Sequence, residues 1–290
     1  MAAHLHLAGH LNGGPPLPTR VEQKFFISPA QMSFVFALVR RTCRWDDDYP
    51  EEQINSVYFD TADLDQHERS LSGEFTKDKV RIRWYGIHRG RVEAGPPAGP
   101  ERPGAATIPV WIELKSRRGF ASTKQRRRHE VPAEALVFEA LRKGIVPTDM
   151  LAKTMAEFGF FPSRRLLPVI VISYRRCRFV EPRTGFRVAV DSHIRSSMIL
   201  PGHGHGERDL ELPGAVVEVK GPFGDLPQSL RTLADVGSSW TRYSKYSSSL
   251  DAHAADLGGV SRLWPSGMMH AQACMEVSKP SKGVATCGSN

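Results

Sequence analysis

The sequence predicts an α+β fold in which seven or eight strands dominate and a few helices lie between them. Three observations support this. Segments that alternate apolar with ionisable residues recur along the chain. Helical signals are few. Two stretches rich in Gly and Pro, 86–109 and 201–214, separate strand-like segments as loops. With 290 residues, 40% of them hydrophobic, the chain suffices for one large domain or two modest ones.

The first strand is TRVEQKFF (19–26), where Arg20, Glu22 and Lys24 share a face. Ser28-Pro29 then reads as N-cap and first helical residue for 30–41, whose Met32, Val35, Phe36 and Val39 form an apolar stripe. INSVYFDT (54–61) and KVRIRWY (79–85) follow as strands. The second sets Lys79, Arg81 and Arg83 on one face and Val80, Ile82 and Trp84 on the other. Beyond the first loop, VWIELKS (110–116) aligns Glu113 with Lys115, and TKQRRRHEV (123–131) aligns Lys124, Arg126 and Arg128. Helices are expected at 133–143, closed by Gly144, and at 148–158, before Gly159. VISYRRCRFV (171–180) aligns Tyr174, Arg176 and Arg178. GFRVAVD (185–191) aligns Arg187 with Asp191, AVVEVKG (215–221) aligns Glu218 with Lys220, and a last helix covers 227–236. No internal repeat is present. The expected organisation is a disordered segment 1–18, a folded unit 19–250 and a poorly ordered tail 251–290.

Charge gives this pattern chemical meaning. The net charge is +8 and the pI about 9.5, which favours an anionic partner. Residues 79–128 alone hold thirteen Lys or Arg against three Glu. Two arrangements fit such strands. The charged faces could look outward from a sandwich as a basic surface. Alternatively they could line an antiparallel barrel whose interior holds water and a ligand, because unpaired buried charges cost several kcal/mol each, roughly. A polyanion with a divalent cation would satisfy that interior, with Arg and Lys on phosphate oxygens and carboxylates on the metal.

Other signals point less far. Cys43, Cys177, Cys274 and Cys287 show no metal-ligand spacing and fit a reducing compartment, so a cytoplasmic protein is expected. The first residues lack a basic n-region, and the longest apolar run, 166–172, is too short to span a bilayer. His203 and His205 in a Gly-rich loop lack a third ligand, and Asp60 reads as a turn or cap residue. RNP-type aromatic strands are missing, so no nucleic acid is expected.

R-x-E-x-K at 20–24, SVYFDT at 56–61, KVRIRWY, ELK at 113–115, TKQR at 123–126, YRR at 174–176, EVK at 218–220 and SKY at 244–246 occur in that order. This ordered set resembles the VTC-type polyphosphate polymerase domains of the triphosphate tunnel metalloenzymes. The resemblance implies an α+β fold, an antiparallel β-barrel tunnel of about eight strands with helices packed outside. It implies transfer of the ATP γ-phosphate to a growing inorganic polyphosphate chain with Mn²⁺ or Mg²⁺. Lys24, Arg81, Arg83, Lys115, Lys124, Arg176, Arg187, Lys220 and Lys245 then fall on phosphate-binding positions and Tyr174 on a hydrogen-bonding one. Of these, Arg81, Arg83, Lys115 and Arg176 would hold the phosphates of ATP and polyphosphate. Glu218 falls on the metal position, with Glu22 and Glu113 as further metal candidates. Arg20 stands where hydrolytic relatives carry the first glutamate of E-x-E-x-K, which favours the polymerase branch. No regulatory SPX domain or membrane anchor is read in these residues, so a freestanding catalytic domain is expected, with any product export left to a membrane partner. A tunnel triphosphatase and a non-catalytic polyphosphate or inositol-phosphate binding module are the alternatives.

Overall fold

The computed structural model describes residues 21–86, 107–119, 121–136, 138–143, 148–200, 209–222, 225–236, 238–239 and 243–256. Arg20, the loop residues 87–106 and the GHGHG stretch lie outside them, as do Gly144 and Gly237. In chain order the elements are β1 (Val21–Ile27), α1 (Met32–Thr42), β2 (Arg44–Trp45), β3 (Glu51–Asp60), α2 (Asp65–Leu71) and β4 (Thr76–Tyr85). Next come β5 (Thr107–Arg118), β6 (Ala121–Pro132), α3 (Phe138–Arg142), α4 (Thr148–Glu157) and β7 (Leu167–Val180). The last are β8 (Arg187–Met198), β9 (Asp209–Gly221), α5 (Thr232–Val236), β10 (Ser238–Ser239) and α6 (Lys245–Asp256).

The chain divides into two compact units, and β7, β8 and β9 each contribute a segment to both. Unit 1 comprises 1–50, 177–190 and 215–241. Its strand order is β10-β1-β9-β8-β7, with β2 against the end of β7. β1 runs antiparallel to β9, with Phe25 opposite Val217 and Ile27 opposite Ala215. Those four side chains enter a core with Val35 and Val39 of α1, Phe179, Val188 and Val190. Ser28 caps not α1 itself but a 3₁₀ turn, Pro29–Gln31, that leads into it: Ser28 N–H donates to Gln31 Oε1 (3.2 Å), and Gln31 N–H donates to the Ser28 carbonyl (3.0 Å). Gly221 is fixed by packing, because a Cβ there would meet the Phe186 ring at 2.2 Å.

Unit 2 comprises 51–176, 191–214 and 242–290, with the order β8-β7-β3-β4-β5-β6. The alternation is used as predicted. Val80, Ile82, Trp84, Val110, Ile112 and Leu114 pack with Leu151 and Met155 of α4 in one apolar cluster. The opposite faces of those strands carry the ionisable side chains. An antiparallel sheet with helices on its apolar face is thus what the sequence encodes. Among the described residues β5 is the one strand paired with β6, so the ladder ends there in an open edge rather than a hydrogen-bonded closure. Exposed Lys124, Arg126, Arg127 and Arg128 protect that edge from further pairing, as charged edges do.

The helix at 133–143 resolves into a 3₁₀ turn, Ala133–Leu136, and the short α3. α2 and α6 were not legible as helices. α2 buries Gln66 and His67, and α6 buries Ser247, Ser248 and Ser249, so neither inward face has the apolar periodicity that marks a helix. α6 reaches Asp256, so the boundary expected at 250 falls inside a helix.

Candidate functional site

Strand register brings the charged residues of unit 2 into rows. Tyr58, Arg81, Glu113 and Arg126 stand opposite one another across β3, β4, β5 and β6. On one side lies the row Ser56, Arg83, Trp111 and Arg128, and on the other Lys79, Lys115 and Lys124. Period-2 side-chain direction puts all three rows on one face. Glu113 is its buried anchor, 1% exposed. Arg81 grips Oε2 through Nε (2.7 Å) and Nη2 (2.6 Å), and Lys124 Nζ meets Oε1 at 2.7 Å.

A second buried carboxylate, Asp191 on β8, is held in the same manner. Arg176 Nε and Nη2 donate to its two oxygens at 2.6 Å each, a bidentate pair, and Lys245 Nζ lies 2.5 Å from Oδ2. Lys245 also sits 4.9 Å from the Tyr174 ring centroid, and Arg83 Nη2 donates to the Tyr174 hydroxyl (3.2 Å). Arg81 and Lys124 thus hold one carboxylate and Arg176 and Lys245 the other, while Arg83 donates to Ser56 Oγ and the Tyr174 hydroxyl. The cations prevail in the titration of the site. Burial alone would raise the Glu113 carboxyl, but Arg81, Arg83 and Lys124 hold it down at about 2. Burial, reinforced by Arg81 and Arg83, pushes the Lys124 ammonium down to about 8 against the pull of Glu113. Since 42% of that side chain is exposed, water tempers the effect.

Sequence reasoning assigned roles to neither Tyr58 nor Asp191. The Tyr58 hydroxyl accepts from Arg81 Nη1 (3.0 Å), and its ring stacks on Tyr246 with centroids 4.9 Å apart. Burial would raise the Tyr58 phenol, yet Arg81, Arg83 and Lys245 draw it below its ordinary value. The signal for Tyr58 was its parity with Ser56 on a strand paired to KVRIRWY. For Asp191 it was alignment with Arg187. Asp60 is the capping residue expected of it: wholly buried, it accepts the backbone N–H groups of Thr61, Gln66 and His67 and the Tyr246 hydroxyl.

Unit 1 holds the remaining candidates: Lys24 and Glu22 on β1, Arg187 on β8, and Glu218 and Lys220 on β9. Glu22 pairs in register with Lys220, and Lys24 with Glu218, so acids and bases alternate as a checkerboard. Lys24 Nζ is 3.3 Å and Lys220 Nζ 3.9 Å from Glu22 Oε1, and Lys220 Nζ is 3.3 Å from Glu218 Oε2. Arg187 is exposed.

Among the described residues no group of three or more His, Cys, Asp or Glu could hold a metal by itself. Glu22 and Glu218 are diagonal neighbours across the β1/β9 ladder, each facing a lysine ammonium, and two carboxylates are the number that an ion such as Mg²⁺ takes. Glu113 suits it less, because it is 1% exposed and already holds Arg81 and Lys124 at 2.6–2.7 Å.

No curated protein matches the sequence of this chain. Among solved structures it is similar to a candidate adenylate cyclase of Bacillus halodurans, at 14% identity and a TM-score of 0.41, over 76% of this chain and 91% of that one. It is similar to a candidate adenylate cyclase of Vibrio parahaemolyticus at 11% identity and TM-score 0.32, over 87% and 97%. It is also similar to a chain of the Schizosaccharomyces pombe Mediator head module at 8% identity and TM-score 0.34, over 74% and 89%. Residues 19–253, by contrast, match the family model of the VTC domain, and the protein belongs to that family.

Proposed function

We propose that this protein is a metal-dependent polyphosphate polymerase that transfers the γ-phosphate of ATP to a growing inorganic polyphosphate chain. The observation that carries the reading is the row of Lys79, Lys115 and Lys124 beside Arg81 and Arg83. Like charges directly opposite in a ladder destabilise it. A polyanion laid across them reverses the sign of that interaction, so the arrangement favours a ligand of several phosphates.

Phosphoryl transfer needs placement and charge neutralisation more than covalent help from the protein. Arg81, Arg83, Lys115, Lys124, Arg176 and Lys245 hold phosphate oxygens in unit 2, and Tyr174 adds a hydroxyl. Glu113 and Asp191 fix the cations in place before substrate arrives, so little reorganisation is required during reaction. A terminal oxygen of the acceptor chain attacks the γ-phosphorus while the bond to the β–γ bridging oxygen breaks and ADP departs. Phosphate oxygens are already anionic near neutral pH, so no general base is needed. In unit 1, Glu22 and Glu218 would hold Mn²⁺ or Mg²⁺, which neutralises phosphate charge when bound. Lys24, Lys220 and Arg187 are proposed there as further phosphate ligands. ATP and polyphosphate are the proposed partners, nucleic acid is not, and the free thiols of Cys43 and Cys177 accord with a cytoplasmic location. No described helix is long and apolar enough to cross a membrane; a membrane partner for export of the product is part of the proposal.

The fate of the γ-phosphate tests the reading. ³¹P NMR of the protein with ATP and Mg²⁺ should show internal-chain phosphate signals growing as γ-phosphate signals fall. Orthophosphate as the sole product would replace the polymerase by a triphosphatase, and an unchanged spectrum would leave a binding module.

A further inference from the structure

Trp111 and Tyr85 depart from the chemistry of the face they stand on. Trp111 is opposite Arg83 and Arg128, so its indole rises on the same face as Glu113, one row along the strand. Tyr85 meets it edge-on, with centroids 5.0 Å apart and planes at 73°. Both rings are half-buried, and neither joins the apolar cluster on the other face of these strands. Burial in the core therefore does not explain them.

Arg126 adds a second, independent observation. It stands opposite Glu113, yet that carboxylate is already taken by Arg81 and Lys124. The Arg126 guanidinium instead lies over the Trp111 ring, 5.1 Å from its centroid, while the side chain remains exposed. A guanidinium stacked on an indole offers a flat, cationic surface on which a planar heterocycle can stack in turn. Successive rows are two residues apart, about 6.8 Å. The lysine row, two rows from Trp111, is then about 14 Å away, within reach of an extended triphosphate whose base sits at Trp111.

We infer that Trp111, Arg126 and Tyr85 form a subsite for the base of a nucleoside triphosphate, directing its γ-phosphate toward Lys79, Lys115 and Lys124. The inference rests on the phosphate-binding reading of this face. Purines, with the larger ring system, occupy the subsite better than pyrimidines. Polyphosphate has no base and makes no use of it, so donor nucleotide and acceptor chain are distinguished here.

Calorimetric titration of the full chain with ATP and with inorganic tripolyphosphate tests this, using the unmodified protein and the Trp111→Ala, Trp111→Phe and Arg81→Ala variants. Loss of base stacking in Trp111→Ala should weaken ATP about tenfold while changing tripolyphosphate by less than about twofold. Trp111→Phe, which keeps an aromatic face, should stay close to the unmodified protein for both ligands and guards against misfolding of the alanine variant. Equal weakening of both ligands by Trp111→Ala, or no weakening of either, would overturn the base subsite. If the unmodified protein bound neither ligand, or if Arg81→Ala changed neither affinity, the phosphate-binding reading would fall first and the subsite with it.

Discussion

Arg81 and Glu113 face each other across the β4/β5 ladder and meet through two hydrogen bonds to one carboxylate oxygen, at 2.7 and 2.6 Å. A buried ion pair of this kind contributes little net stability, but breaking it leaves an uncompensated charge in a desolvated place. Glu113→Ala should therefore cost about 3–5 kcal/mol of unfolding free energy in urea. Glu113→Gln, which retains an acceptor, should cost less. Equal and negligible losses would show that Glu113 does not hold the cations together.

The depressed Glu113 carboxyl sets an acid limit. Its folded value, about 2, lies below the ordinary 4.5, so its contribution is present in full above pH 4.5 and is lost as pH falls toward 2. Linkage puts that contribution at about 3 kcal/mol. Acid titration of unfolding free energy should show the loss in that window, and Glu113→Gln should flatten it.

Lys124 titrates at the other end. With its ammonium at about 8 in the unliganded protein, a bound polyanion would raise it, so anion binding takes up a proton once pH exceeds 8. Tripolyphosphate affinity should hold below pH 8 and fall by up to about tenfold per unit above it. In Lys124→Arg, whose guanidinium stays charged, the decline should disappear.

Much of this architecture was legible beforehand, for a physical reason. KVRIRWY and WIELKS alternate so strictly that one face had to be apolar, and Ile82, Trp84 and Ile112 are indeed buried. Which charges meet was harder to read, because register is a property of pairs of strands. That Glu113 faces both Arg81 and Arg126 appears only once β4, β5 and β6 are aligned. Tyr58 was hidden by its strand, whose buried run Ile54–Asp60 obscures the alternation. α6 was hidden by its serines: small polar side chains buried at Ser247, Ser248 and Ser249 leave no hydropathy stripe, and of its chemistry only Lys245 was foreseen.

Tyr58→Phe isolates one of the residues the sequence concealed. The substitution keeps the stack on Tyr246 and removes the hydroxyl that accepts from Arg81. A hydrogen bond to a charged group contributes about 1.5–3 kcal/mol, so turnover should drop at least about tenfold while the fold persists. Unchanged turnover would confine Tyr58 to packing.

Asp191 is the counterpart on β8. Asp191→Ala strands Arg176 and Lys245 without their shared carboxylate and should both destabilise unit 2, by about 3–5 kcal/mol, and abolish turnover. Thermal melts at two ionic strengths would measure it, and the destabilisation should shrink when a polyanion is added to take the place of the carboxylate.

The Glu22 and Glu218 pair predicts a metal phenotype. Glu218→Gln should raise the Mn²⁺ concentration needed for half-maximal turnover by about tenfold or more, with a smaller effect from Glu113→Gln. The reverse order would move the metal to Glu113.

The most direct measurement is a polyacrylamide gel of the products formed from ATP with Mn²⁺, stained for polyphosphate, comparing the unmodified protein with Arg81→Ala and Glu218→Ala. A ladder of lengthening chains from the unmodified protein, missing in both variants, is the result expected of a polymerase acting on the cationic face of unit 2. A ladder that persists in Arg81→Ala, or ATP consumed to orthophosphate with no ladder in any lane, would contradict it.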